Sequence, residues 1–253
     1  LTNLITSRRR FLLGAGGVAL TTLAGCSVGS REVVTPQLPK EDPFYAAIYG
    51  PVPDEQFPLP AVPYQKIDRR FYRQVVPNPT GERPGVIVVD TANHFLYLTL
   101  EDGQAMRYGV GLGRAGFEWS GRGVIQYKRA WPRWTPPDDM IGRQPELEIY
   151  SSRNGGMAPG LDNPLGARAL YIFKDGVDTI FRIHGSPEWW TMGKSVSSGC
   201  VRMLNQDIID LYNRVPPKAP IVVTSLGSTT GNMASVSNPQ RPQQAPQQQW
   251  RLW

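Results

Sequence analysis

Residues 181–212 read FRIHGSPEWWTMGKSVSSGCVRMLNQDIIDLY and contain His184, one of two histidines in the chain, and Cys200, one of two cysteines. A thiol with the ordinary pKa of about 8.5 is mostly protonated near neutral pH, so a nucleophilic cysteine needs a base or a positive local field. His184 is the base at hand. The two lie too far apart in sequence to share one face of a helix or strand, so the Trp-, Gly- and Ser-rich segment from Gly185 to Ser198 must loop back for them to meet. Downstream, Asn205 is a suitable N-cap, and Ile208, Leu211, Tyr212 and Val215 fall on one face of a helix that Pro216 stops. Upstream, Thr179 to Ile183 reads as a strand. His184 is therefore expected at a strand end and Cys200 in the loop that feeds a helix, places where a rigid scaffold presents chemistry.

Working outward, short apolar or alternating runs at 86–90, 95–100, 105–110, 123–128, 169–173 and 221–224 predict further strands. Turn signals at Ala92-Asn93 and Asp102-Gly103 make the first three a β-meander, and Asp175-Gly176 marks a hairpin. Pro 24 and Gly 26 in 253 residues favour a loop-rich β protein over a helical bundle, and 40% hydrophobic residues suffice for one substantial core. The pattern predicts a mainly β domain over 85–224.

The flanks differ in character. Residues 1–25 read as a signal peptide: a basic start, an apolar run from Phe11 to Ala24 too short to span a bilayer, then a small-residue site. Ser7-Arg8-Arg9-Arg10-Phe11-Leu12 resembles a twin-arginine export signal, with general secretory export the alternative, and Leu23-Ala24-Gly25-Cys26 resembles a lipobox. Lipidation at Cys26 would anchor the chain to the inner or outer membrane, facing the periplasm. Cys200 would then stand alone in an exported domain, where cysteines are usually paired, and its polar Ser-Ser-Gly setting favours a reactive thiol over a packing residue. Residues 26–84 are Pro-rich and predict an extended linker that lays a few aromatics on the domain, and 225–253, rich in Gln, Pro and Ser, predict a disordered tail.

The run I-H-G-S, then S-S-G-C-V-R-M after a spacer, then Asp-Ile-Ile-Asp-Leu-Tyr, resembles the catalytic motif of the bacterial L,D-transpeptidases. Ile87-Val-Val-Asp90 with Leu96-Tyr97-Leu98, Trp134-Thr-Pro-Pro-Asp-Asp-Met140 and Asn163-Pro-Leu-Gly-Ala-Arg168 resemble the bodies of proteobacterial members. The resemblance implies a β-sandwich domain with one or two short helices. It also implies a reaction: a Cys200 thioester formed on peptidoglycan tetrapeptide stems with loss of D-alanine, then transfer to an amine of a second stem or of an envelope protein. In that scheme His184 moves the proton, the carbonyl of Gly185 orients the imidazole, and the N–H groups of Ser198, Gly199 and Cys200 form an oxyanion hole. Arg202 holds a stem carboxylate or makes a structural ion pair. Trp134, Trp189 and Trp190, with Trp131, line the stem cleft or pack as core and rim. Many members carry a histidine where Ser198 stands here.

Other classes fit less well. A papain-like peptidase places its cysteine before its histidine, the reverse of the order here. A non-catalytic wall-binding lipoprotein would be expected to have lost Cys200, His184 or Gly199, and an L,D-carboxypeptidase would use the same residues with water as acceptor. No metal and no cofactor are expected, since two histidines and one unlipidated cysteine give too few soft ligands for a zinc site. The net charge of +6 includes Arg8, Arg9 and Arg10 and forms no basic cluster, which argues against nucleic acid as a partner. His94 is expected on a surface turn, and the protein is expected to be a monomer.

Overall fold

The computed structural model describes residues 42–113, 120–197 and 199–224; the expected signal peptide, Cys26, the first part of the linker, Ser198 and the tail lie outside the described residues. Eleven strands are formed among the described residues: β1 (Gln74–Pro77), β2 (Ile87–Asp90), β3 (Phe95–Thr99), β4 (Gln104–Gly109), β5 (Gly111–Gly113), β6 (Gly121–Ala130), β7 (Arg168–Lys174), β8 (Val177–Ser186), β9 (Ser195–Ser197), β10 (Val201–Leu204) and β11 (Pro220–Thr224). They hydrogen-bond in the order β1-β4-β3-β2-β11-β6-β7-β8-β10-β5-β9. Three short helices accompany them: α1 (Pro43–Ile48), α2 (Asp138–Arg143) and α3 (Asn205–Arg214).

The meander forms as its turns dictate, with Ile87 opposite Leu98 and Leu98 opposite Met106. Its strands read as unbroken apolar runs because both faces are covered. Ile87, Val89, Leu96 and Leu98 point into one core with Leu170, Ile183, Met203, Ile208 and Leu211. Val86, Val88, Phe95 and Tyr97 point into another. Strands β3 and β8 stand five places apart in the sheet order, yet Leu96 and Ile183 share a core. At about 4.8 Å per strand a flat sheet could not bring them together, so the sheet curls into two facing layers around α3, and the domain is mainly β as expected.

The second core corrects one expectation. The Pro-rich segment does lay aromatics on the domain, but from Asp42 onward it is folded and not extended: α1 starts at Pro43, capped by the Asp42 side chain, and the chain then continues through short turns. Tyr45, Tyr49, Tyr64 and Tyr72 form a ring cluster with centroids 4.8 Å apart for Tyr45–Tyr72 and 5.6 Å for Tyr64–Tyr72. The prolines forbid long elements, but each aromatic buries roughly 150–250 Å², enough to hold short turns on the sheet. Glu55 adds a polar tie: its carboxylate takes two bonds from Arg168 of β7 and one from Trp131 Nε1 at 2.8 Å, which fixes Trp131 as a packing residue.

Helix α3 also departs in one detail from its prediction. Leu204 occupies the cap position and Asn205 is the first helical residue, because the Asn205 Oδ1 accepts the Ala167 N–H at 2.9 Å instead of capping its own helix. The other end closes as a helix C-terminus should, with Lys128 Nζ of β6 donating to the carbonyls of Tyr212 and Val215.

Asp207, in the first turn of α3, is fully buried. Tyr49 Oη lies 3.4 Å from its Oδ2 and Arg73 Nε 3.7 Å from its Oδ1, but Arg73 makes its closer contact, 3.0 Å, with Asp210. Burial outweighs this distant guanidinium and pushes the Asp207 carboxyl up to about 7. A carboxyl in the unfolded chain ionises near 3.9, so between about pH 4 and 7 the folded state binds the extra proton, and stability falls as pH rises through that window. Asp207→Asn is expected to remove this slope. In urea denaturation at pH 5 and pH 8, the wild type should lose on the order of 1–3 kcal/mol more than the variant; an equal pH dependence in both proteins would refute the assignment.

Candidate functional site

The parallel pairing of β8 with β10 sets the site. Its register places Arg202 opposite His184 and Val201 opposite Ile183, which brings Cys200, one residue before β10, level with Arg182. Side chains two apart on a strand share a face. Arg182 and His184 therefore lie on one face of the sheet with Cys200 and Arg202, while Ile183 and Val201 point into the core. The sequence placed Cys200 in a loop feeding a helix; a four-residue strand, β10, intervenes, and its register sets Cys200 level with Arg182, two residues before the histidine.

The row extends across β7. Ala169 pairs with His184, while Tyr171 pairs with Arg182. Tyr171 stacks on Tyr127 of β6 with ring centroids 4.3 Å apart, and the Arg182 guanidinium lies over Tyr171 at 4.5 Å. Asp178 fixes that guanidinium with two bonds, at 2.7 and 2.8 Å. None of Arg182, Ala169, Tyr171 or Tyr127 was singled out from the sequence. The i, i+2 spacing of Arg182 and His184 was the available signal, once 177–186 is read as a strand.

His184 is buried, and its Nδ1 lies 2.6 Å from the Gly185 carbonyl oxygen. A carbonyl only accepts, so Nδ1 carries the proton of the neutral ring and Nε2 is left as the acceptor. Burial pushes the pKa of His184 down to about 4; the carbonyls of Gly185 and Pro164 favour the protonated ring, and the charges of Arg202 and Arg182 oppose it. The Cys200 thiol is half-buried, and burial pushes it up, against the Arg182 backbone N–H and the charges of Arg182 and Arg202. Burial wins on both partners. Taken separately, burial favours the neutral imidazole of His184 and the protonated thiol of Cys200.

Two glycines make the geometry possible. Gly199 has φ +118°, a conformation that costs an L residue strain, in the turn entering Cys200. A Cβ on Gly185 would lie 2.2 Å from Asn205 Oδ1 and 3.0 Å from Ile208 Cγ2. Gly185→Ala is therefore expected to displace Asn205 from Ala167, cost about 1–3 kcal/mol as overpacking does, and shift the carbonyl that orients His184. A thermal melt and the activity of the soluble variant would read these two effects separately.

The remaining expected residues divide. Arg202 is ion-paired with Glu188, the structural alternative raised from the sequence. Trp189 and Trp190 occur together in a turn at Trp189–Thr191, edge to face at 5.6 Å, Trp189 half-buried and Trp190 52% exposed. Trp134 pairs with Met157 through two backbone bonds and rests against Tyr150; no described hydrogen bond or ring contact joins it to His184 or Cys200. Ser198 lies outside the described residues. His94 lies in the expected turn, at φ +59°, but is half-buried, with Nε2 3.0 Å from the Ser195 Oγ in β9.

The model of the L,D-transpeptidase catalytic domain family, YkuD, matches residues 84–223. The probable L,D-transpeptidase ErfK/SrfK of Escherichia coli K12 is 33% identical over 141 residues, covering 54% of this chain and 43% of that protein. A solved chain from Brucella melitensis, described as a probable carnitine operon oxidoreductase, is 46% identical over 59% of this chain and 91% of its own length, with a TM-score of 0.43. An L,D-transpeptidase from Mycobacterium smegmatis is 19% identical over 55% of this chain and 58% of its own, with a TM-score of 0.39. This chain belongs to the L,D-transpeptidase catalytic domain family. The match to the curated E. coli relative spans less than half the length of that protein.

Proposed function

We propose that this protein is an L,D-transpeptidase that acts on peptidoglycan tetrapeptide stems through a thioester on Cys200. The observation that carries the reading is the register that sets His184 and Cys200 on one face of adjacent strands, with the imidazole held by the Gly185 carbonyl. The Cys200 sulfur attacks the carbonyl between the third residue's L centre and the terminal D-alanine while its proton passes to His184 Nε2. The N–H groups of Ser198, Gly199 and Cys200 take the developing oxyanion. The C–N bond then breaks, His184 returns the proton to the leaving D-alanine amine, and the thioester remains. An acceptor amine attacks that carbonyl, gives its proton to His184, and the thiol is restored. The chemistry is redox-neutral and draws on no metal or cofactor.

The acceptor in this reading is an amine of a second stem or of an envelope protein. Water as acceptor would give the carboxypeptidase reading. Lipidation at Cys26 would place the domain in the periplasm on a membrane anchor, acting as a monomer. Incubating the full chain with a disaccharide-tetrapeptide and weighing products by mass spectrometry tests the proposal. A product of two stems less one D-alanine is expected; tripeptide as the sole product would favour hydrolysis, and no loss of D-alanine would overturn the reading.

A further inference from the structure

Between the catalytic histidine and cysteine in sequence, the chain makes an aromatic turn whose outer side is not used by the chemistry above. Trp189, Trp190 and Phe71 line a groove of about 290 Å³. Phe71 is buried, whereas Trp190 is exposed and Trp189 half-buried beside it, so the groove presents indole surface to solvent. The rim is charged with both signs: Lys66 and Lys194 stand with Asp68, whose exposed carboxylate also accepts from the Arg70 N–H at 3.0 Å and lies 3.8 Å from the Arg70 guanidinium, and the Lys66 ammonium lies 5.9 Å from the Trp189 ring centroid.

The mixed rim narrows the chemistry. An anionic headgroup would meet the Asp68 carboxylate, and a cationic ligand would meet two ammonium groups. A pyranose ring satisfies all of these at once. Its C–H face packs on indole, and its hydroxyl and acetamido groups both donate and accept, so they can bond carboxylate and ammonium alike. We propose that this groove is a sugar-binding subsite, which holds a pyranose of the peptidoglycan glycan strand against Trp189 and Trp190 while the attached stem reaches Cys200. The inference rests on the stem-peptide reading above and adds a second point of recognition. Because Trp189–Thr191 lies in the segment joining His184 to Cys200, and Lys194 immediately precedes β9, a sugar seated here would also steady the loop that carries Gly199.

Two measurements on the full chain separate this subsite from the catalytic proposal. The first compares kcat/KM for a disaccharide-tetrapeptide with that for the free tetrapeptide, in wild type and in Trp190→Ala. The wild-type ratio is expected to favour the sugar-bearing substrate by about three- to tenfold, the range to which aromatic contacts convert, and to fall to about one in the variant. A wild-type ratio of one, or a ratio that Trp190→Ala leaves unchanged, would overturn the subsite while leaving transpeptidation intact. The second needs no turnover: tryptophan fluorescence titrated with N-acetylglucosamine oligomers should saturate in wild type, and Trp190→Ala should abolish the response. If neither substrate is turned over, this titration alone decides the subsite. Saturation lost in the variant supports it, whereas no response to sugar, or a Trp190-dependent response only to anionic phospholipid vesicles, rejects it in favour of no ligand or a membrane surface.

Discussion

Cys200→Ala is expected to abolish D-alanine release and thioester formation, a loss of at least about 10⁴-fold, as when a covalent nucleophile is removed from other acyl-transfer sites. The cost to the fold should be small, within about 1 kcal/mol, because the side chain is half-buried and removes one polarizable atom from the sheet face. Cys200→Ser sharpens the test. A serine hydroxyl is a far weaker acid than a thiol, and burial has lowered His184 to about 4, which makes it a weak base. The pair tuned in this way can deprotonate sulfur in concert with attack but is poorly matched to oxygen. Both variants should therefore melt like wild type and form no adduct detectable by intact-mass spectrometry after incubation with a tetrapeptide stem. A Cys200→Ser protein retaining more than about a hundredth of wild-type activity would mean that His184 is a stronger base than its burial implies.

How much of this was legible in the sequence depends on the range of the interaction. The meander and the β7–β8 hairpin were readable because their information is local: Asp102-Gly103 and Asp175-Gly176 adopt the positive φ that tight hairpins need, and the apolar runs of β2 and β3 are unbroken. His184 and Cys200 stood out as candidates from their chemistry and spacing. Their alignment did not, because it depends on β10, a four-residue strand whose pairing partner β8 lies across the long Gly185–Ser198 segment. The folded state of residues 42–84 was hidden for a different reason. Proline frequency reports what the backbone cannot do locally, whereas Tyr49, Tyr64, Phe71 and Tyr72 are held by tertiary burial against β2 and β3. Asn205 shows the same limit in one residue. Its type fits an N-cap, but a buried N–H at Ala167 claims its oxygen first.

The pH dependence of the reaction follows from the same competition between burial and local charge. His184 works as a base only when neutral, and burial holds its pKa near 4, below the ordinary histidine value of about 6.5. On the acid side, wild-type kcat/KM is expected to rise through about pH 4 and be level by about pH 6. Without the shift, that limb would be centred near pH 6.5. His184→Gln keeps a side-chain N–H for the Gly185 carbonyl but supplies no base, and its kcat/KM should fall by about 10²–10⁴-fold at pH 7. Its residual rate should also change shape. With no base to take the proton, only the thiolate already present can attack, and burial has raised the Cys200 thiol, so the variant's rate should climb continuously with pH from 7 to 9 where the wild type is flat. Measuring kcat/KM for D-alanine release from pH 3.5 to 9 in both proteins tests the pair as a unit. A wild-type acid limb near 6.5 would place His184 in a wetter setting than its 4% exposure describes. A His184→Gln profile parallel to wild type would remove the histidine from the proton transfer altogether and leave the Arg182 and Arg202 charges as the source of whatever thiolate reacts.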